Sequence, residues 1–179
     1  MLDTDTAVDD YDAPPLPTDF DSYVIRRSPA LLRLAFLLTG DRFKAEDLVQ
    51  TTLAKVLHRW DATAAKGDPH PYVRTVLIHT ALGWRRRKWE GEQSTYQLPE
   101  HASDHDFADL AARRHQLRSA LLQLPPRQRA AVVLRHYDDL SEEQAAAVLG
   151  CSVGTVKSQT AKGLERLRTL LETNDDPND

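Results

Sequence analysis

Cysteine and long apolar runs are scarce in this chain of 179 residues. A single cysteine, Cys151, excludes an intramolecular disulfide and a cysteine-based zinc site. The longest apolar run, around Leu31 to Leu38, is interrupted by Arg33, which excludes a membrane span. The N-terminal segment MLDTDTAVDDYDAPP is acidic and lacks the basic and apolar parts of a signal peptide. We therefore expect a cytoplasmic protein without membrane insertion.

Basic residues are absent from three segments, and their distribution is more informative than the net charge of −4. Residues 1–22, 90–109 and 172–179 carry acids but no lysine or arginine. The two blocks between them, 23–89 and 110–171, have charge balances of +8 and +5. Two basic blocks flanked by acidic segments are typical of a protein that binds a polyanion. Two ordinary helical domains with solvated surface charge are the alternative interpretation.

In the first block, apolar residues recur at helical spacing. The pattern predicts a first helix that opens with a capping box of Thr18 and Asp21 and ends at Gly40. Asp41 is suited to cap a second helix that runs to about Trp60. The predicted apolar stripe of this second helix is Phe43, Leu48, Thr52, Val56 and Trp60.

Further helices follow along the chain. Gly, Pro and Asp predict a loop over 61–70, and Pro71 suits the first turn of a helix from Tyr72 to about Trp89. No period is sustained over 90–109, which we interpret as a linker. The remaining predicted helices are 110–124, 127–137, a short helix capped by Ser141 and Gln144, and 153–171 capped by Ser152.

No segment alternates with a period of two over a useful length. The predicted fold is therefore all-α, with two small helical domains, 18–89 and 110–171, joined by the flexible acidic linker. Residues 1–17 and 172–179 are predicted to be acidic tails, the first of them disordered.

The segment LSEEQAAAVLGCSVGTVKSQTAKGLERLR, residues 140–168, is the most specific local signal. A capped short helix, a turn centred on Gly150 and a second capped helix are the parts of a helix-turn-helix motif. Short polar and basic side chains on the second helix suit major-groove edges and phosphates. These residues are Thr155, Lys157, Ser158, Gln159, Ala161 and Lys162. A plain helical hairpin is the alternative.

Four segments together resemble the sigma-70 family, and in particular the extracytoplasmic-function (ECF) group of bacterial RNA polymerase sigma factors. LSEEQAAAVLG with the following GTVKS resembles region 4.2, and LPPRQRAAVVLRHYDDLS (124–141) resembles the part before it. LTGDRFKAEDLVQTTLAKV (38–56) resembles regions 2.1–2.2, and PYVRTVLIHTALGWRRRKW (71–89) resembles regions 2.3–2.4. The linker leaves no room for a region 3 domain, and the GWRRR ending is most similar to actinobacterial members.

The resemblance implies a sigma factor that binds core RNA polymerase and directs promoter-specific initiation. It assigns core binding to the DLVQ surface of the second helix, which contacts the β′ clamp helices in the family, and the β flap is a second implied contact. The implied core-binding residues are Asp47, Leu48, Val49, Gln50 and Thr51. From the residues alone, the alternative is an exposed face near a capped N-terminus, where Glu46 and Asp47 interact favourably with the helix dipole.

The third helix and the loop before it are assigned by the resemblance to the −10 element and to melting. A flipped-out base would be captured in a protein pocket there, while four cations contact phosphates and indoles offer stacking surfaces. The implied residues are Tyr72, Arg74, His79, Trp84, Arg85, Arg86, Arg87 and Lys88. His79 departs from the asparagine common in the family, which leaves the −10 base preference open. Trp84 is alternatively a partly buried core residue.

The −35 element is assigned to the helix-turn-helix, which would bind it as duplex. The implied residues are Arg135, Thr155, Lys157, Ser158, Gln159, Ala161 and Lys162. An anti-sigma factor is a usual partner in the group, so the resemblance also implies one.

A stand-alone helix-turn-helix regulator is the alternative function. It would bind palindromic duplex tightly without polymerase, through a first domain that dimerises or binds a ligand. His101 and His105, with Asp104 and Asp106, have a spacing that suits a cation but lack a third convincing ligand. We expect no metal, no cofactor and no enzymatic activity.

Overall fold

The computed structural model describes residues 19–88 and 105–175, with side chains described over 19–84 and 111–173. In these ranges the chain forms helices and no strand, which confirms the all-α prediction. The predicted tail 1–17 and most of the predicted linker, including His101 and Asp104, lie outside the described residues. The helices are α1 (Phe20–Thr39), α2 (Arg42–Leu57), α3 (Trp60–Ala64), α4 (His70–Lys88), α5 (His105–Gln123), α6 (Pro126–His136), α7 (Glu142–Leu149) and α8 (Val153–Asp175).

The N-terminal cap of α1 differs from the predicted one. Asp19 caps the helix, and its carboxylate accepts the N–H of Ser22 at 2.8 Å, which lowers the pKa of Asp19. An aspartate caps a helix at least as well as a threonine does, so the start moves one residue on from Thr18. Gly40 ends α1 as predicted, because its φ of 70° lets its N–H donate to Phe36 O at 2.7 Å.

Several element boundaries also differ from prediction. Helix α2 ends at Leu57 rather than near Trp60, and residues 61–64 of the predicted loop belong to α3, which begins at the buried Trp60. Helix α5 begins at His105 and α8 continues to Asp175, so each is longer than predicted. The predicted linker is therefore shorter at its C-terminal end.

The prediction that Phe43 lies on the apolar stripe of α2 is wrong, since Phe43 is 67% exposed. Phe43 precedes Leu48 by five residues, which places it about 140° away around the helix. The apolar spacing of the last helix also predicts that Leu164 faces inward, but Leu164 is exposed and the buried face of α8 passes through Gly163. A Cβ at Gly163 would lie 2.6 Å from Val132 Cγ2, so glycine permits the close approach of α8 and α6.

Helices α1–α4 form a first bundle and α5–α8 form a second, and the two bundles pack against each other through α1, α4, α5, α6 and α7. Leu38, Ile78 and Ala81 of the first bundle line a small apolar gap with Pro126 and Ala130 of the second. The contact joins α4, where the −10 residues were predicted, to the bundle that carries the helix-turn-helix.

Candidate polymerase-binding and DNA-binding surfaces

The predicted core-binding surface of α2 is only partly at the surface. Asp47 and Gln50 are exposed and Thr51 is half-buried. Leu48 is fully buried and Val49 nearly so, which makes the prediction of a surface contact wrong for these two residues. Successive residues of a helix are turned by about 100°, so four consecutive side chains cannot all face outward.

The exposed face of α2 consists of Phe43, Asp47 and Gln50, and of these three residues only Phe43 was missing from the predicted surface. Their spacing of i, i+4 and i+7 places them along one face of the helix, and all three are exposed. This spacing was the signal that could have separated Phe43 from the core. The face combines an aromatic ring, a carboxylate and an amide, which suits a protein partner.

Helix α2 is held to α4 by a side-chain contact as well as by apolar packing. Lys55 Nζ donates to Thr80 Oγ1 at 3.0 Å. The start of α4 is fixed by a hydrogen bond between His70 Nδ1 and the hydroxyl oxygen of Tyr23, with 2.8 Å between the two atoms. Burial lowers the pKa of His70, with Arg74 and Arg27 acting in the same direction.

The predicted −10 residues on α4 do not form one exposed surface. Tyr72 and Trp84 are half-buried and packed against the core, as the alternative interpretation of Trp84 expected. Arg74 forms an ion pair with Asp138, with 2.5 Å between Nε and Oδ2. His79 Nε2 donates to Val148 O at 2.8 Å. The side chains of Arg85, Arg86, Arg87 and Lys88 lie outside the described residues, although their backbone belongs to α4.

The helix-turn-helix has the predicted caps. Ser141 Oγ accepts the N–H of Gln144 at 3.1 Å, and the Gln144 side chain accepts the N–H of Ser141 at 2.8 Å. Gly150 ends α7 with a φ of 63°, and Ser152 Oγ accepts the N–H of Thr155 at 3.1 Å at the start of α8. These capping contacts fix the end of α7 and the start of α8. The outer face of α8 is exposed to solvent.

That outer face carries four of the predicted −35 residues. Lys157, Ser158, Ala161 and Lys162 are exposed, whereas Thr155 and Gln159 are half-buried. Ser158 Oγ donates to Thr155 O at 3.0 Å.

Two further contacts shape the −35 surface, and the sequence did not reveal them. Lys157 Nζ lies 3.3 Å from a carboxylate oxygen of Glu142, which sits at the start of α7. Arg135 is half-buried and donates through Nη1 to Leu140 O, so it shapes the turn before α7. The sequence analysis therefore did not identify Glu142, because only the tertiary structure brings it beside Lys157 of α8.

Among the described residues, no group of three or more histidine, cysteine or acidic side chains is placed to hold a metal. None of the helices in the described part of the chain is long and apolar enough to cross a bilayer.

Both bundles match models of known protein families. The model of Sigma-70 region 2 matches residues 23–90, and that of Sigma-70, region 4 matches residues 114–167. The RNA polymerase sigma-E factor of Streptomyces avermitilis is 44% identical over 157 residues, covering 88% of this chain and 87% of that protein. The RNA polymerase sigma-E factor of Streptomyces coelicolor is 43% identical over 157 residues, with 88% of each chain covered.

A solved structure of the sigma factor RpoE from Bartonella quintana, in complex with the anti-sigma factor NepR, is 28% identical with a TM-score of 0.69. The likeness covers 87% of this chain and 98% of that one. The ECF sigma factor EcfG of Rhodopseudomonas palustris is 31% identical over 160 residues, covering 88% of this chain and 87% of that protein.

The chain belongs to the sigma-70 family. Within that family it is an ECF sigma factor, whose role is to direct transcription initiation. The sequence predictions of family, function and actinobacterial character are confirmed. The family consists of non-enzymatic initiation factors.

Proposed function

We propose that the exposed face of α2 binds the β′ clamp helices of core RNA polymerase. Phe43, Asp47 and Gln50 support this proposal because they share one solvent-facing stripe at the N-terminal half of α2. Thr51 lies at its edge. Leu48 and Val49 are buried and pack in the core beneath this exposed face. The β flap is the second polymerase contact, made by the α5–α8 bundle.

The two bundles bind different parts of the promoter. The outer face of α8 reads the −35 element as duplex, where Lys157 and Lys162 contact phosphates or purine edges and Ser158 and Ala161 lie against bases. Arg135 clamps the backbone beside them. Helix α4, with its basic C-terminal end, recognises the −10 element and assists melting. Both binders are weak alone, and mounting them together on polymerase supplies specificity.

Three finer properties belong to the same proposal. The chain acts in the cytoplasm, where promoters and core polymerase are found, and it has no catalytic activity of its own. An anti-sigma factor holds it when transcription is not required. The likeness to RpoE of Bartonella quintana, which is solved in complex with NepR, supports this last partner.

One observation carries the proposal: a single chain holds both family regions. Region 2 has the exposed face of α2, and region 4 has the capped helix-turn-helix with α8 as its second helix. Run-off transcription with bacterial core enzyme on a promoter library tests it. Asp47→Ala lowers core binding and transcription from every promoter, whereas Lys162→Ala lowers transcription from particular promoters and leaves core binding unchanged.

Matched controls separate these effects from a general change of charge. Asp21→Ala removes an exposed acid from α1 of the same bundle, and Arg168→Ala removes an exposed base of α8 six residues beyond Lys162, outside the residues implied for the −35 element. Both controls retain full transcription. A protein that binds palindromic duplex tightly and never associates with core enzyme is instead the stand-alone regulator, and the proposal is then wrong.

A further inference from the structure

We propose that Glu142 is a specificity-determining residue for the −35 element, because it holds the ammonium group of Lys157 so that Lys157 donates to a purine edge rather than to a phosphate. Glu142 is not among the residues that the family resemblance implies, and it acts through Lys157 as a positioning residue. The inference rests on the proposed role of α8 at the −35 element, and it decides which of the two proposed contacts Lys157 makes.

The ion pair between Lys157 and Glu142 joins the two helices of the helix-turn-helix. Lys157 Nζ lies 3.3 Å from Glu142 Oε2, and the two side chains are 61% and 33% exposed. The pair is therefore at the surface, where DNA can reach it, and is not part of the core. An exposed ion pair adds little to stability, so its main effect is on the position of the ammonium group.

Both side chains of the pair start from fixed backbone positions. Glu142 is the first residue of α7, directly after the residue whose capping box opens this helix. Lys157 follows Val156, which is fully buried and whose N–H donates to Ser152 O at 3.1 Å. The packing of α7 and α8 therefore sets the separation that the two side chains have to bridge.

The start of α7 stabilises a negative charge on Glu142. The N-terminus of a helix carries partial positive charge, and the first turn of α7 has two carboxylates, Glu142 and Glu143. Hydrogen bonds with its own N–H and with Ser141, together with the charge of Lys157, lower the pKa of Glu143. These acids occupy a helix end that would otherwise attract a DNA phosphate.

Pairing with a carboxylate changes what a lysine can bind. An unpaired ammonium that contacts a phosphate releases a condensed counterion, which is the main source of non-specific affinity. An ammonium that a carboxylate neutralises releases none, and the carboxylate repels the phosphate. A guanine edge presents the neutral acceptors N7 and O6, and an ammonium has three donors. Lys157 can therefore remain paired with Glu142 and still donate to guanine.

The position of Lys157 on α8 also favours a contact with bases. Lys157 and Ala161 are four residues apart, so they share one face of the helix, and both are exposed. The proposed function places Ala161 against bases, which puts Lys157 beside a base contact. Lys162 differs, since in the described part of the chain no acid forms an ion pair with it. Lys162 is therefore the lysine suited to a phosphate.

Holoenzyme made from the full chain and core RNA polymerase tests the proposal. The probes are a labelled duplex with the −35 sequence that the wild type selects from a randomised library, and duplexes with single base-pair replacements in it. The variants are Glu142→Gln, Lys157→Ala and the double variant. Glu143→Gln is the matched control, because it removes the adjacent acid of the same helix turn and leaves the ion pair intact. Affinity is measured over a range of salt concentrations.

We expect Lys157→Ala to leave the slope of log affinity against log salt unchanged and to lower discrimination at one base pair by about tenfold. Glu142→Gln releases Lys157 to a phosphate, so the slope should steepen by about 0.9 relative to Glu143→Gln, with the same loss of discrimination. The double variant should lack the steeper slope, because the lysine that causes it is gone. A merely structural role of Glu142 would not produce this dependence on Lys157.

Three results overturn the proposal. The first is a slope that falls by about 0.9 in Lys157→Ala alone, since Lys157 would then contact a phosphate despite its pairing. The second is a steepening in Glu142→Gln that Glu143→Gln reproduces or that persists in the double variant, since the acid would then act by general repulsion of DNA. The third is a Glu142→Gln variant with unchanged slope and discrimination.

The same measurements separate failure of this proposal from failure of the proposed function. If Lys162→Ala lowers affinity for the −35 duplex while Glu142→Gln changes nothing, the role of Glu142 is wrong and the role of α8 stands. If neither Lys162→Ala nor Lys157→Ala changes affinity or discrimination, α8 does not read the −35 element, and the proposed function is itself wrong at this surface.

Discussion

Arg129 of α6 donates from Nη1 to the carbonyl oxygen of Leu38 in α1 at 2.6 Å, across 91 residues of sequence. The same guanidinium donates from Nε to Leu121 O at 2.7 Å and from Nη2 to Leu124 O at 3.2 Å. It therefore satisfies carbonyl groups at the C-terminal end of α5 and joins the two bundles. Only 1% of Arg129 is exposed, so its charge is stabilised by these carbonyl oxygens rather than by water.

Substitution of Arg129 is expected to destabilise the fold strongly. Arg129→Ala leaves several buried carbonyl groups without a donor and should lower the free energy of unfolding by about 2–4 kcal/mol. Arg129→Lys should recover only part of this, because an ammonium lacks the planar fork that reaches carbonyl groups on two sides. Urea unfolding measures both. Arg127→Ala, at an exposed position two residues earlier, serves as the control, and an equal loss in both alanine variants would contradict the prediction.

Gly40 is expected to tolerate no side chain. Its φ of 70° disfavours other residues, and a Cβ there would collide with the Leu122 side chain of α5. Gly40→Ala should lower the free energy of unfolding by about 1–3 kcal/mol. The matched control is Gly83→Ala in α4, where a Cβ meets nothing within 4 Å and helix propensity should add up to about 1 kcal/mol. In urea unfolding, we expect the free energy of unfolding to fall in Gly40→Ala and to rise in Gly83→Ala. A change in the same direction in both variants would contradict the prediction.

His70 is expected to make stability depend on pH. Burial lowers its pKa in the folded chain below the ordinary value of about 6.5, so the unfolded chain binds more protons just below that pH. The stability that depends on neutral, buried His70 is fully present above about pH 6.5. It is lost as the pH falls through the lowered pKa of His70 in the folded chain. His70→Gln should therefore lose less stability than the wild type between about pH 7.5 and 5.5. His136→Gln, at an exposed position, should follow the wild type; an unchanged pH dependence in His70→Gln would argue against the assignment.

The neighbours Asp47 and Leu48 are expected to have separable effects. Leu48→Ala leaves a cavity in the core and should cost about 2–5 kcal/mol of unfolding free energy. Asp47→Ala changes an exposed residue and should change stability by less than about 0.5 kcal/mol. Core binding, measured at a temperature where both variants are folded, should fall only for Asp47→Ala. Loss of core binding by folded Leu48→Ala alone would place the contact elsewhere.

Lys162 is expected to account for about one phosphate contact. In holoenzyme bound to −35 duplex, Lys162→Ala should reduce the slope of log affinity against log salt by about 0.9. Arg168→Ala should leave the slope unchanged, because Arg168 lies six residues beyond Lys162, about 9 Å farther along α8 from the implied −35 residues. An unchanged slope in Lys162→Ala, with a shift in base preference instead, would show that this lysine reads a base edge.

Much of the fold follows from local patterns. The cap at Asp41, the turn glycines Gly40 and Gly150 and the capping box of Ser141 with Gln144 were predicted and are present. Caps and turn glycines act over three or four residues, which is the range that a sequence pattern reports directly. The helix-turn-helix belongs to this class, because its parts are consecutive.

The sequence by itself therefore determined an all-α chain, its two basic blocks and its family. The tertiary structure decided which positions face inward, since the orientation of a helix depends on what packs against it: Phe43 is exposed while Leu48 and Val49 are buried. It also decided the partners of Arg74, His79 and Arg129. These contacts join residues that are far apart in the chain, as the separations of 69 residues between His79 and Val148 and 91 between Arg129 and Leu38 show. Local patterns carry no information about a carbonyl or carboxylate that only packing brings near.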